Sequence, residues 1–297
     1  MKIYNRKTKE IYEEKASSKA LDFLYNNLFG RLLLKTIFSR RLYSKLVSLI
    51  IKSPISKFKI RSFIKKHNID MSLYEEEKYR SFNDFFIRQK KEKYKKITKD
   101  KKLFISPADS KLISYKIDDD LVLKIKNSEY SVQELIQDEN LAKTYAGGLC
   151  LVFRLTADDF HRYCHVDDGR VVASKKIMGV LHTVNSYSDK YKVFSKNQRE
   201  YQRIKTENFG EIIYMEVGAL QVGKIHNYEL DKVTKGEEKG YFSFGGSTIV
   251  ILLKKNKINL ASDIVKKSKK LIEVKIEYGE VIAKKKLNIL GGRDDKK

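Results

Sequence analysis

The chain of 297 residues has no tryptophan, two prolines and two cysteines. Cys150 and Cys164 are too few for a disulfide framework or a Cys-based zinc site, and they point to a reducing compartment. Nothing at the start reads as an export signal, because Met1 to Lys15 is charged throughout. No stretch of about 18 apolar residues occurs, so no spanning helix is expected. Acidic residues are scarce as well: 38 Asp/Glu face 62 Lys/Arg, a formal net charge of +24. Histidine is rarer still, with five in the whole chain, so any cluster of them carries weight.

The positive charge is unevenly placed. Residues 1–102 hold 28 Lys/Arg against 11 Asp/Glu, a balance of +17. A genome-wide bias toward lysine would spread the excess more evenly. The placement suits a polyanionic partner, either nucleic acid or an anionic membrane surface. From Ser17 to about Lys66 the spacing is helical: Leu21, Leu24, Tyr25, Leu28 and Leu32 form one stripe, and Leu42, Leu46, Leu49 and Ile50 another. Ser53-Pro54 reads as a helix stop and restart, with Ser as N-cap and Pro at the first helical position. Basic residues interleave the stripes, a pattern that fits helices lying in a bilayer interface. Leu32-Leu33-Leu34 and Leu49-Ile50-Ile51 are also wider than packing on a core requires.

A lysine-rich connector, Lys90 to Lys102, marks the expected domain boundary. The sequence thus predicts an α+β protein: amphipathic helices and connector over 1–100, then a β-rich, mostly antiparallel catalytic domain over 101–297. Strand runs include Leu121–Ile125, Leu149–Phe153, Ile212–Val217 and Leu271–Ile276, separated by Gly/Asp/Asn turns. Ser131 to Leu141 reads as a short helix, with Ser131 as N-cap and Glu134 completing a capping box.

Four segments carry residues suited to chemistry. The turn Phe244-Gly245-Gly246-Ser247-Thr248 lies between the strand-like runs Tyr241–Phe244 and Ile249–Leu253. Two glycines free the peptide bond before a hydroxyl nucleophile, so Ser247 Oγ can reach the Gly246 carbonyl carbon; on its own, such a turn is an ordinary hairpin. Pro107-Ala108-Asp109 sets a carboxylate after a rigid Pro. From Asp158 to Asp168, 11 residues hold two histidines, an arginine, a cysteine and four aspartates. His161 and His165, four apart, are spaced to share a helix face and a metal, but no HExxH-type pattern accompanies them; an acid/base role is the better fit. Val217 to Gly223 is a small-residue strand without a dinucleotide fingerprint. An Asp, a His-rich segment and a Ser on separate strands outline triad chemistry. A secreted hydrolase fits poorly, since Ser247 has no G-x-S-x-G elbow.

Assembled in order, these residues resemble the phosphatidylserine decarboxylase proenzymes, pyruvoyl-dependent lyases. The resemblance runs from about Tyr79 to Leu260. It rests on Phe82-Asn83-Asp84-Phe85-Phe86-Ile87-Arg88, Pro107-Ala108-Asp109, Asp159-Phe160-His161-Arg162, His182-Thr183-Val184-Asn185, Phe194-Ser195-Lys196-Asn197, Val217-Gly218-Ala219 and Lys235–Gly240 leading into the Gly-Gly-Ser-Thr turn. It implies self-cleavage between Gly246 and Ser247, giving an obligate pair: a large chain 1–246 and a small chain 247–297. Ser247 becomes a covalent pyruvoyl group, which takes up the substrate amine and accepts the electrons released as CO2 departs. No metal or exogenous cofactor is implied.

By the same resemblance Asp109 supports the base for self-cleavage, and His161 lies near the reacting carbon as acid/base. Many members read His-Arg-x-His; here Cys164 takes the second histidine's place and His165 follows one residue later. Either His161 serves both steps, the preferred reading, or a backbone irregularity turns His165 inward, because adjacent strand residues face opposite ways. Asp159 and His182 join Cys164 and His165 as further catalytic or pocket residues. Gly245 departs from the commoner Leu. The resemblance places the protein peripherally on the cytoplasmic face of the cell membrane, with phosphatidylserine as substrate and a homo-oligomer allowed. The rivals are a basic nucleic-acid-binding protein, for which no recognisable module exists, and a self-processing serine hydrolase or degenerate scaffold without decarboxylase activity.

Overall fold

The computed structural model describes residues 1–14, 19–38, 41–76, 78–125, 128–180, 193–218, 224–245 and 247–286. His182, Gly246 and the segment 219–223 lie outside them.

The helical stripes form as their spacing predicts: Lys19–Asn26, Leu28–Leu33, Arg41–Lys52 and Phe58–His67 are α-helices. Ser53 is extended and Pro54 opens a short 3-10 turn, Pro54–Lys57. Ser53 Oγ donates back to the Ile50 carbonyl at 2.7 Å, closing the preceding helix instead of capping the next. Among the described residues no helix is long and apolar enough to cross a membrane.

Ten strands build the main sheet. Their order across it is Lys232–Val233, Gly169–Ile177, Arg199–Thr206, Gly210–Gly218, Ser247–Leu253, Leu149–Leu155, Ser110–Lys116, Glu273–Ile276, Lys2–Asn5 and Ile11–Glu13. Every pairing is antiparallel except that of Lys2–Asn5 with Glu273–Ile276. The fold is therefore α+β with mostly antiparallel sheets. The two N-terminal strands carry too few residues for a periodicity signal. The expected helix from Ser131 is shorter than the sequence suggests. Val132–Ile136 ends at Gln137, which takes a left-handed φ of 51°, and Asp138 caps a second helix, Glu139–Lys143.

The strand Ser247–Leu253 is buried along its whole length. Side chains alternate across a strand, so Ile249, Ile251 and Leu253 join one core with Phe153, Tyr214 and Leu155. Val250 and Leu252 join the core on the other face with Val152, Met215 and Val217. Burial on both faces explains the unbroken apolar run that follows Ser247. A third cluster, Ile51, Phe82, Phe85 and Phe86, ties the helices to the sheet and packs against Phe244.

Candidate active site

Ser247 opens the central strand, opposite Gly218 on one side and Leu155 on the other. It is fully buried, and its Oγ has no hydrogen-bond partner among the described residues. A buried hydroxyl without a partner costs free energy of the order of 1–3 kcal/mol, so its retention calls for a purpose. The turn before it is held from three directions. Phe242 N donates to the His161 carbonyl at 3.0 Å, Ser243 N to the Lys224 carbonyl at 3.0 Å, and Phe244 N to Asn83 Oδ1 at 3.2 Å. Gly245 has φ +142°, a conformation open essentially to glycine alone, so this backbone excludes the commoner Leu at that position.

His161 lies beneath this turn. Its ring packs on Phe86 at 4.0 Å between centroids, and Phe86 in turn packs on Phe244 at 5.1 Å. Nδ1 is 2.9 Å from the Asp159 carbonyl. A carbonyl only accepts, so Nδ1 carries the proton and Nε2 keeps its lone pair. Nε2 has no partner among the described residues. Burial pushes the ring's pKa down to about 3, against the pull of the Asp159 carbonyl and with a smaller push from the Arg88 guanidinium. His161 is thus a neutral ring with a free lone pair at neutral pH.

His165 shares these properties. It is buried, both ring nitrogens lack partners among the described residues, and burial, then the Lys239 charge, push its pKa down to about 3. The strand Arg162–Cys164 ends one residue before it, and the facing strand Glu238–Phe242 shifts register between Glu238 and Gly240. Backbone bonds then fix His165: its N–H donates to the Glu237 carbonyl and its carbonyl accepts from Gly236, both at 2.9 Å. The irregularity that would let His165 face inward is therefore present.

The remaining sequence-flagged residues separate into distinct roles. Asp109 accepts from Lys90 Nζ at 3.0 and 2.8 Å and from Tyr278 N at 2.6 Å, and no hydrogen bond joins it to a histidine among the described residues. The neighbouring Pro107 carbonyl accepts from Cys164 N at 3.0 Å, which ties the Pro-Ala-Asp element to the histidine segment. Burial pushes the Cys164 thiol up to about 12, so it is no thiolate at neutral pH. The Asp159 carboxylate accepts from Lys111 Nζ at 2.9 and 2.7 Å and from Thr156 N at 2.7 Å. Burial raises the Asp159 carboxyl and works to lower the Lys111 pKa, yet the facing Asp159 and Asp158 outweigh it at Lys111 and hold the ammonium charged. Asp159 meets the His161 ring only through its backbone. Arg162 is internally paired: Nη1 lies 2.6 Å from Glu238 and Nε donates to the Ile87 carbonyl at 2.8 Å. His226 stacks on Tyr241 at 4.6 Å and lies 3.0 Å from the Ser243 hydroxyl of the turn.

Sequence reasoning missed Glu216 and Lys239, a fully buried pair on the same side of the sheet, and the half-buried Asn227 that bonds to both. The one signal was a lone charge in the otherwise apolar run Ile212–Val217. It also missed a groove of about 550 Å³ lined by Val47, Ile51, Phe63, Phe82 and Phe244, with Lys59 and Lys66 among its walls. The groove brings the helices to the glycine turn.

The order of motifs has counterparts elsewhere. A model of the phosphatidylserine decarboxylase family matches residues 82–284, a span that begins at the first residue of the Phe-Asn-Asp-Phe-Phe motif. A protein of Clostridium acetobutylicum named phosphatidylserine decarboxylase proenzyme 2 is 52% identical over 282 residues, 94% of this chain and 97% of its own. Phosphatidylserine decarboxylase proenzymes of Clostridium perfringens and Ruminiclostridium cellulolyticum are 42% and 39% identical, covering 96% and 95% of this chain and 100% and 97% of theirs. The chain belongs to the phosphatidylserine decarboxylase family. It is an enzyme of that family, a decarboxylase, and the family match spans the histidine segment, the Pro-Ala-Asp element and the Ser247 turn alike.

Proposed function

We propose that this decarboxylase converts phosphatidylserine to phosphatidylethanolamine and CO2, using a pyruvoyl group made from its own Ser247. The observation that carries the reading is the buried, unpartnered Ser247 hydroxyl directly after a glycine turn, in a chain of this family. A prosthetic group formed from that side chain needs no separate binding pocket, and a buried, orphaned oxygen fits it.

Maturation would run within the backbone. Ser247 Oγ bonds to the Gly246 carbonyl carbon as its proton passes to a base. The C–N bond breaks, the nitrogen takes a proton, and an ester remains. Loss of the Ser247 Cα proton and cleavage of the Cβ–O bond then release the Gly246 carboxylate and leave dehydroalanine. Water displaces ammonia and leaves the ketone, with chain 1–246 ending in a carboxylate and chain 247–297 blocked. The ketone supplies the electron sink for decarboxylation.

The other residues act around it. His161, neutral with Nε2 free, moves protons at the reacting carbon. His165 is the second neutral ring, available for the processing step. Asp109 acts at one remove, by holding Lys90 and the Tyr278 backbone beside the segment that anchors Cys164. The apolar groove that ends at Phe244 takes acyl-chain carbon next to the turn, and Lys59 and Lys66 suit a lipid phosphate.

The N-terminal helices deliver the enzyme to its substrate. Leu28, Leu49, Ile55 and Phe58 are 79%, 68%, 78% and 70% exposed, more apolar surface than lone surface residues account for. With basic side chains between them, these helices would lie on an anionic bilayer, each lysine adding about 1 kcal/mol near the surface. This peripheral placement is on the cytoplasmic face. The test is Ser247→Ala: it should remain one chain and release no CO2 from phosphatidylserine vesicles. Decarboxylation at the native rate by this variant would refute the reading.

A further inference from the structure

Glu216 and Lys239 form an ion pair, 2.7 Å apart, in which neither side chain has any exposed surface. Lys239 Nζ also donates to Asn227 Oδ1 at 2.8 Å, Asn227 Nδ2 donates to Glu216 Oε2 at 3.0 Å, and the Tyr163 hydroxyl donates to Asn227 Oδ1 at 3.1 Å. The ammonium lies 4.9 Å from the centroid of the Tyr214 ring, which also has the Tyr163 ring at 6.4 Å and the His165 ring at 6.5 Å. Lys239 falls at the register shift opposite the histidine strand.

The ladder fixes where this cluster stands. Gly218 is opposite Ser247 and Glu216 opposite Ile249. With a side-chain period of two, Glu216, Gly218, Ser247 and Ile249 share one face. Diagonal neighbours across such a pair are about 7–8 Å apart, within reach of a long side chain, and Gly218 puts no side chain between them. The other ion pairs buried on both sides among the described residues are placed differently. Arg154, paired with Glu273, is opposite Thr248, and Lys111 is opposite Arg154, so both point to the other face. Each also reaches a partly exposed carboxylate, Glu14 or Asp158.

Stability does not explain the pair. Burial pushes the Glu216 carboxyl up and the Lys239 ammonium down, and chiefly the attraction of each for the other draws them back toward their charged forms. Taking such charges out of water costs several kcal/mol per ion, and apolar residues of similar volume are often as stable or more so. We propose that Glu216 and Lys239 are positioning residues for self-processing: locked by Asn227 and Tyr163, they hold a fixed positive charge beside His165 on the Ser247 face of the sheet. A cation fixed there disfavours a second one on His165, so the ring offers a lone pair when the Ser247 hydroxyl must lose its proton. The proton returns to the Ser247 nitrogen as the C–N bond breaks, and none is consumed. The other ionisable groups facing the pair are Tyr163, Tyr214 and Glu200. This inference rests on the self-processing reading above.

The test follows conversion of newly synthesised full-length precursor into two chains by intact mass, from pH 6 to 9, for the native sequence, E216M/K239M, His165→Gln and the triple variant. Thermal stability is measured in the Ser247→Ala background. The expected result is a folded E216M/K239M protein with an unchanged or higher Tm, processed at least tenfold more slowly and with a displaced pH profile. Adding His165→Gln should then cost little more, because one ring and one charge act as a unit. Native rate and native pH profile in E216M/K239M would overturn the proposal, and so would loss of its fold, which would make the pair a stability element. A native sequence that never splits would instead overturn the self-processing reading itself, and this proposal with it.

Discussion

Replacing His161 by glutamine should change how stability responds to acid, by an amount the buried ring sets. The folded pKa lies near 3, through burial, against about 6.5 in the unfolded chain. The unfolded state therefore binds the proton first. The ring's contribution is complete above about pH 6.5 and falls as pH drops toward 3. Between pH 7 and pH 5 the loss is ~2 kcal/mol. For a chain of this length that is about 3 °C in Tm. The comparison belongs in a Ser247→Ala background, so that both proteins have the same covalent form. His165 and His226 shift in the same sense as His161, while burial raises the carboxyl pKa of Asp159 and Glu216 and works in the opposite sense. Those contributions are common to both proteins and cancel. Scanning fluorimetry from pH 7.5 to 5 should show the His161→Gln protein losing about 3 °C less than its parent. Parallel curves would mean that the ring titrates alike in both states, and the neutral, base-competent His161 would be wrong.

Two further outcomes follow from the same structure. Lys111→Met leaves the Asp159 carboxylate buried without its cation and should destabilise the fold by ~3–5 kcal/mol, whereas K111M/D159L should recover most of it; chemical denaturation measures both, and equal stability of the two variants would contradict the ionic pair. Leu49→Ser with Ile50→Ser removes exposed apolar surface from the Arg41–Lys52 helix without touching the core. It should weaken sedimentation with anionic vesicles about tenfold while leaving Tm within a degree or two, and unchanged sedimentation would remove the interfacial role of that face.

The sequence made the elements with strong local signals legible. The helical stripes, the Ser53-Pro54 break and the central strands all declared themselves through spacing, and the Gly-Gly-Ser turn through composition. What stayed hidden depends on partners distant in sequence. Lys2–Asn5 and its neighbour Ile11–Glu13 join the main sheet through Glu273–Ile276, some 270 residues later. The helix after Ser131 breaks at Gln137 because Asp138 offers a better cap to Leu141 than continuation would. At the site, the aspartates looked like partners for the histidines, yet the fold gives Asp109 to Lys90 and Asp159 to Lys111. Periodicity cannot foresee such pairings, because the lysines come from other strands and loops. Glu216 and Lys239 were hidden for the same reason: each looks like surface until the ladder buries both.

The central claim is that Ser247 is consumed to make the catalytic group, and intact-mass analysis of the purified protein tests it most directly. The account predicts two chains, 1–246 and 247–297, the smaller beginning with a pyruvoyl group in place of an amino terminus. A single uncleaved chain in a preparation that decarboxylates phosphatidylserine would contradict it.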